Sequence, residues 1–394
     1  MDRIKIINGH VIGPHRILPQ GVVVIEGDKI VAVSAHDVEV GHASVIDAKG
    51  AYIAPGFIDI HVHGGGGADF MDGKVEAFLQ IAKTHAQYGT TAMVPTTLTS
   101  TQDQLIRTLD CYEEALKQNH KGAQFLGMHL EGPYFAMSQR GAQDPRYIRD
   151  PDPKEYHEIL KRADLIARWS AAPEREGALD FGRTLREKGV LAAIAHTDAV
   201  YDEVLQAVDA GYTLATHLYS GMSGVSRRNA LRYAGVIESA LLLDEIDVEI
   251  IADGVHLPEG LLKLIYKVKG PEKIALITDA MRAAGTEEQT SVLGGEDQGI
   301  AVIIEDDVAK LPDRSSLAGS IATADRLLRV MLSKGGAPLC EAIRMLSATP
   351  ARIMGVSARK GSLVSGKDAD IVFLDKDFKV VRTIIMGRTV WTSD

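Results

Sequence analysis

The sequence predicts an α/β protein, a (β/α)8 TIM barrel with a small β-sandwich domain formed by both termini. Three observations carry the prediction. Short apolar runs alternate with longer helical stretches eight times through residues 55–355. The two ends, 1–54 and 356–394, hold short β-branched runs broken by turn signals instead. Residues able to do chemistry stand at the ends of many of the central runs, where the C-terminal face of a barrel gathers its side chains.

In the N-terminal part, Gly21-Val22-Val23-Val24-Ile25 and Lys29-Ile30-Val31-Ala32-Val33 flank Glu26-Gly27-Asp28, which is hairpin sequence. The C-terminal part repeats the style with Ala369 to Leu374 and Lys379 to Met386, broken by Asp375-Lys376-Asp377 and by Met386-Gly387-Arg388. Neither end alone has enough strands for a stable sheet, so one small domain made from both is the economical arrangement. Between them the runs read as strands are Gly56 to His63, Thr90 to Pro95, Gln124 to Leu130, Leu165 to Ala171, Val190 to Ala195, Tyr212 to Thr216, Val248 to Ala252 and Ile274 to Thr278. They are nearly continuous in apolar residues, as parallel strands covered on both faces require. A doubly wound open sheet is the structural alternative, and the spread of chemical residues over many strand ends favours the barrel.

With 394 residues, 45% of them hydrophobic, the chain can bury a large core. The formal charge of −10 comes from scattered acidic residues, with no basic stripe to release counterions from a nucleic acid. The two cysteines, Cys111 and Cys340, lie singly in segments that read as helical, which excludes a disulfide framework and a sulfur metal site and makes them buried apolar residues. The start, Met1 to Gly9, lacks the apolar run of a signal peptide, and no stretch reaches the roughly 18 uncharged apolar residues of a membrane span. A cytoplasmic protein with no membrane or nucleic-acid partner is expected.

His61-Val62-His63 ends an apolar run and leads into Gly64-Gly65-Gly66-Gly67. Strand alternation points both imidazoles the same way, and the glycines leave room beside them for an ion or a substrate. Glu131, His196, His217 and Asp279 each stand just after another apolar run. Singly, each reads as a core histidine or a helix-capping carboxylate; five coincident strand ends make that bland reading improbable and point to one mouth. Histidine and carboxylate with no thiolate suit a divalent metal, Zn2+ first and Fe2+ next, and Mg2+ less well.

Six motifs carry a resemblance. Pro55-Gly56-Phe57-Ile58-Asp59-Ile60-His61-Val62-His63-Gly64, His129-Leu130-Glu131-Gly132-Pro133-Tyr134, Ala195-His196-Thr197-Asp198-Ala199, Thr216-His217-Leu218-Tyr219, Ile251-Ala252-Asp253-Gly254-Val255-His256 and Leu276-Ile277-Thr278-Asp279-Ala280 recur in order across almost the whole chain. The set resembles the N-acetylglucosamine-6-phosphate deacetylase family of the amidohydrolase superfamily. The resemblance implies Glu131, His196 and His217 as ligands of a principal ion and His61 with His63 as ligands of a second, hence one or two ions per subunit. It implies Asp279 as the catalytic carboxylate and His256 as a residue that contacts the sugar and supports the polarised carbonyl. It further implies that Leu317-Ala318-Gly319-Ser320 closes around the acetyl group, that Ala142-Gln143 touches substrate, and that the protein is a homodimer.

One segment departs from the family's pattern. Where relatives commonly read His-Leu-Tyr/Phe-Asn-Ala-Met, this chain reads His217-Leu218-Tyr219-Ser220-Gly221-Met222. The Ser220-Gly221 turn offers backbone N–H groups to an anion, and Arg227 or Arg228, at an expected helix start, stands where the family places its phosphate-binding arginine. The departure leaves the sugar open between N-acetylglucosamine 6-phosphate and its galactosamine epimer. A cyclic amide or N-acyl amino acid as substrate is the second reading, and a catalytically silent sugar-phosphate-binding barrel the third. Retention of all five ligand candidates and of Asp279 speaks against silence.

Overall fold

Eight parallel strands form the ring that holds the site. The structure is a computed structural model describing residues 3–393, so Met1 and Asp2 of the expected leaderless start lie outside the described residues, as does the side chain of Arg228. The strands run, in chain order, Phe57–Val62, Thr90–Pro95, Met128–Glu131, Ile166–Ala171, Leu191–Ile194, Tyr212–Ala215, Asp247–Ile251 and Ile274–Ile277. The last six pair as successive neighbours and the first two pair with each other. Parallel bridges between Thr96 and His129 and between Val62 and Ala280 join the two groups and close the curled sheet into a TIM-barrel-like ring. Every residue of the first two strands and of the seventh is buried, because the interior packs one face and the helices cover the other.

The helices follow the same logic. Gln102–Gln118 begins at Thr101, whose hydroxyl accepts from the Gln104 N–H at 3.3 Å, and it buries Leu105, Leu109, Tyr112 and Ala115 at helical spacing against the barrel. The expected third strand is broken in two. Gln124–Phe125 pairs with the second strand and Met128–Glu131 with the fourth. Between them Gly127 takes φ +111°, where an added Cβ would lie 2.6 Å from the Ala167 side chain, so the bend needs glycine.

The termini share one antiparallel and parallel sheet in the hydrogen-bonded order Arg388–Thr392, Val380–Ile385, Ile371–Leu374, Tyr52–Pro55, Arg3–Ile12, Ile17–Glu26, Lys29–Ser34, with Ala43–Asp47 added beside Arg3–Ile12. Ile371–Leu374 against Tyr52–Pro55 is the seam between the two ends of the chain. Ile6, Val23, Ile25, Ile53, Phe373 and Ile384 make its core. Buried Lys360 binds Asp370, Asp368 and the Gln124 side chain, tying this sheet to the foot of the third barrel strand.

Several expectations give way. Arg227 and Arg228 do not open a helix: Ser226–Arg228 pairs with Leu231–Tyr233 in a hairpin whose turn residues, Asn229 and Ala230, have φ +51° and +69°. Two consecutive left-handed residues are what a two-residue hairpin turn demands, and asparagine was its sequence signal. The helix expected near Ala322 starts at Ala324. A three-stranded antiparallel sheet, Thr290–Leu293, Ile300–Glu305 and Val308–Lys310, follows the eighth barrel strand unforeseen. Cys111 and Cys340 are both free thiols and only half-buried. Among the described residues no helix is long and apolar enough to cross a membrane.

Candidate metal and active site

The ends of five barrel strands bring His61, His63, Glu131, His196, His217 and Asp279 to one mouth, all buried. Alternation along Phe57–Val62 aims His61 and His63 at the same space, with their Nε2 atoms 3.3 Å apart. Glu131, the last residue of its strand, stands among the imidazoles. Its Oε1 is 2.8 Å from His217 Nε2, 3.4 Å from His196 Nε2 and 3.6 Å from His61 Nε2, and its Oε2 is 3.4 Å from His63 Nε2. Asp279 Oδ1 lies 3.2 Å from His63 Nε2 and 3.4 Å from His61 Nε2.

His196, His217 and Asp279 share a backbone feature. Each follows the end of its strand and takes a left-handed φ, +46°, +35° and +48° respectively, which turns its side chain into the mouth. A non-glycine residue there costs about 1–2 kcal/mol, so neighbours must hold it. The His217 N–H donates to Glu249 Oε2 at 3.3 Å; the Asp279 N–H donates to the His61 carbonyl at 3.0 Å, and its own carbonyl accepts from Ser320 N–H at 2.8 Å.

The donor set fits a divalent ion. Atoms bound tetrahedrally at about 2.1 Å from a metal lie about 3.4 Å from one another, close to the spacings found here. Two overlapping triads meet this condition, His61 with His63 and Asp279, and His61 with Glu131 and His217. Electrostatics asks for the same positive charge. Burial raises the Glu131 carboxyl, yet the His61, His196, His217 and His63 imidazoles outweigh it and hold the group well below the usual range. Burial opposes a charge on His63, but Asp279 and Glu131 hold that imidazole up to about 10. Neighbours aim the candidate ligands as well: His196 Nδ1 donates to the Gln139 carbonyl at 2.8 Å, leaving its Nε2 lone pair for the mouth. Gln143 accepts from Thr99 N–H at 2.9 Å and donates to Glu131 Oε2 at 2.7 Å.

Comparison with known proteins gives the family. The Amidohydrolase family pattern matches residues 52–390. The N-acetylglucosamine-6-phosphate deacetylase of Bacillus subtilis (strain 168) is 33% identical over 388 residues, 97% of this chain and 96% of that protein. The chain belongs to the amidohydrolase family, among its N-acetylglucosamine-6-phosphate deacetylases. The N-acetylgalactosamine-6-phosphate deacetylase of Escherichia coli O157:H7 is 34% identical over 346 residues, 88% of this chain and 89% of its own length. A variant N-acetyl-D-glucosamine-6-phosphate deacetylase from Mycobacterium smegmatis, solved in complex with N-acetyl-D-glucosamine-6-phosphate, superposes with a TM-score of 0.91 at 31% identity, covering 100% of both chains.

In this amidohydrolase a cavity of about 290 Å³ opens over the mouth. Ala142, Gln143, Ser220, Gly221, His256, Leu317 and Gly319 face it, as the sequence expected, together with Tyr219, Leu98 and Leu293, which it did not. Ala318 and Ser320 do not. Ala318 is wholly buried against Met281 and Leu293, and Ser320 donates through its hydroxyl to the Thr278 carbonyl, so both shape the wall from behind. Nor does Arg227, which lies exposed on the hairpin, away from the cavity wall; the side chain of Arg228 is outside the described residues. The Ser220 N–H is not free for an anion, since it donates to the His217 carbonyl at 2.9 Å. Gly221 serves a different end. At φ +58°, an added Cβ would sit 2.7 Å from both the Gln139 carbonyl and His196 Nδ1, between the partners of the bond that aims His196. Gly221→Ala is therefore expected to destabilise the protein by roughly 1–3 kcal/mol and to weaken ion retention; unchanged urea unfolding and metal content would contradict that reading.

Sequence reasoning missed the residues beneath the mouth. Asp253 accepts the His256 Nδ1 proton at 2.7 Å and the backbone N–H groups of Val255 and His256, each at 2.8 Å, so His256 Nε2 faces the cavity. Burial works against the Asp253 charge, but these donors hold the carboxyl below its ordinary range. His129, Arg168 and Glu249 are all fully buried inside barrel strands. A charged residue interrupting an apolar run was the available signal for the last two.

Proposed function

We propose that this chain hydrolyses the acetyl amide of N-acetylglucosamine 6-phosphate to glucosamine 6-phosphate and acetate in amino-sugar catabolism. The observation that carries the proposal is the convergence of four imidazoles, Glu131 and Asp279 under a cavity of about 290 Å³, sized for part of a small polar ligand. A divalent ion held there would lower the pKa of a water towards neutrality and polarise the amide carbonyl. Glu131, His196 and His217 are read as holding the principal ion, and His61 with His63 the second; Zn2+ suits this donor set best and Fe2+ next.

Asp279, ionised beside His61 and His63, accepts a proton from the attacking water as the new C–O bond forms. It delivers that proton to the sugar nitrogen as the C–N bond breaks, and the proton of the nascent acetic acid passes to the freed amine, so acetate leaves as the anion and the product as the ammonium. His256, held through Nδ1 by Asp253, presents Nε2 to the carbonyl side of the substrate and supports the charge that develops on oxygen. Leu317 and Gly319 bound the acetyl end, and Ala142 with Gln143 the sugar.

Finer readings belong to the same proposal. The sheet of the termini is read as a β-sandwich domain of residues 1–54 and 356–394 beside a catalytic barrel of 55–355. The protein is read as cytoplasmic and as a homodimer, in which Arg227 or Arg228, outside its own subunit's cavity wall, reaches a sugar phosphate in the other subunit. The galactosamine epimer is the second reading, favoured by the 34% identity to a deacetylase of that sugar phosphate. Acetate release from both epimers and from unphosphorylated N-acetylglucosamine, with metal content measured on the same preparation, tests the whole. Turnover confined to phosphorylated sugars and lost on chelation is expected, and the faster epimer names the substrate. Failure on all three by metal-loaded protein would discard the sugar.

A further inference from the structure

Beneath the mouth lies a charged pair that the proposed chemistry does not use. Arg168 and Glu249, both fully buried, meet across the barrel interior through two guanidinium–carboxylate bonds, Arg168 Nη2 lying 3.1 Å from Glu249 Oε2. Well-packed apolar residues often replace such a pair with no loss of stability, so its presence asks for a function. Glu249 Oε2 supplies one. It lies 3.3 Å from His61 Nδ1 and accepts the His217 N–H at 3.3 Å, so a single oxygen reaches two candidate ligands from below.

The tautomer of His61 is the point at issue. In the mouth its Nε2 faces Asp279 Oδ1 at 3.4 Å and Glu131 Oε1 at 3.6 Å. Both carboxylates accept only, and both draw the single imidazole proton to Nε2, where it would block an ion. An ionised acceptor on the opposite side draws it to Nδ1 and leaves the Nε2 lone pair bare. No other acceptor for His61 Nδ1 is present among the described residues. His129, which packs edge-on to the His61 ring at 4.7 Å, already binds Ser170 at 2.7 Å.

We propose that Glu249, anchored by Arg168, is the positioning residue that sets the tautomer and ring angle of His61 and thereby decides whether the ion shared by His61 and His63 is retained. The proposal rests on the two-ion reading given above.

Arg168→Met/Glu249→Leu removes the pair without stranding a charge, and Arg168→Met/Glu249→Gln restores a neutral acceptor. Zn2+ is titrated into metal-free protein against a chromophoric chelator, and Co2+-loaded protein is read by visible absorption, so neither readout needs turnover. The wild type is expected to take two ions, the Leu variant to bind the second about 10–100-fold more weakly with the first less affected, and the Gln variant, whose amide oxygen still accepts, to recover part of the loss. Two ions bound by the Leu variant with wild-type affinity would overturn the proposal. So would equal loss in both variants, which marks a packing defect. A wild type that never takes more than one ion would instead remove the two-ion reading beneath it. Should the variants fail to fold, histidine 15N spectra of the metal-free wild type decide, with His61 assigned by its loss in His61→Asn: a proton on Nδ1 is expected, and a proton on Nε2 overturns the assignment.

Discussion

Asp279→Asn is expected to fold and to retain metal while kcat falls by roughly 10²–10⁴-fold, the range for loss of a positioned general acid/base. Asparagine matches aspartate in size and is among the few residues that tolerate the φ of +48° found there. Its amide oxygen can still face His63 Nε2, but it cannot take up and return a proton. Burial raises the Asp279 carboxyl, and the imidazoles of His61 and His63 more than offset it, holding the group below its ordinary value and so charged at neutral pH. Steady-state kinetics and metal analysis on one preparation check the expectation. A kcat within a few-fold of wild type would remove Asp279 from the mechanism, whereas loss of metal together with turnover would make it chiefly a ligand.

Glu131→Gln should act earlier, by emptying the site. Among the described residues its carboxylate is the one group that faces His61, His63, His196 and His217 together. Replacing it with a neutral amide leaves four imidazoles with only Asp279 to compensate an ion, and the Gln143 amide, which now donates to Glu131 Oε2 at 2.7 Å, meets an amide that can turn its own donors outward. Affinity for the principal ion is expected to fall by more than about 100-fold, beyond the loss usual for partners that only orient a ligand, with activity at background. Exhaustive chelation of the wild type should give the same inactive state, reversed by added Zn2+ in the wild type alone. Full metal content in Glu131→Gln would contradict the assignment.

Much of the architecture was legible because it depends on period and position. Burial on both faces makes parallel strands read as unbroken apolar runs, and the order of those runs sufficed for the ring. A period of two placed His61 and His63 together, and strand ends marked the other four. What escaped has physical reasons. The left-handed turns at His196, His217 and Asp279 involve no glycine, so no local signal announces them. The segment Leu317 to Ser320 was legible as a wall, but alternation between cavity and core within it, which turns Ala318 and Ser320 away, depends on the Met281 and Leu293 side chains behind it. The hairpin at Ser226 to Tyr233 stands where a helix start is expected, because an arginine pair suits either element and Asn229 alone is a weak turn signal.

The three strained residues at the mouth set durability against chemistry. Glycine at position 196, 217 or 279 would relax the backbone and delete a reactive side chain in the same step, so a change that toughens the scaffold there also silences it. Selection of this protein for heat tolerance alone would thus drift towards a sturdier, inert barrel, and only selection that also demands turnover would keep these three side chains in place.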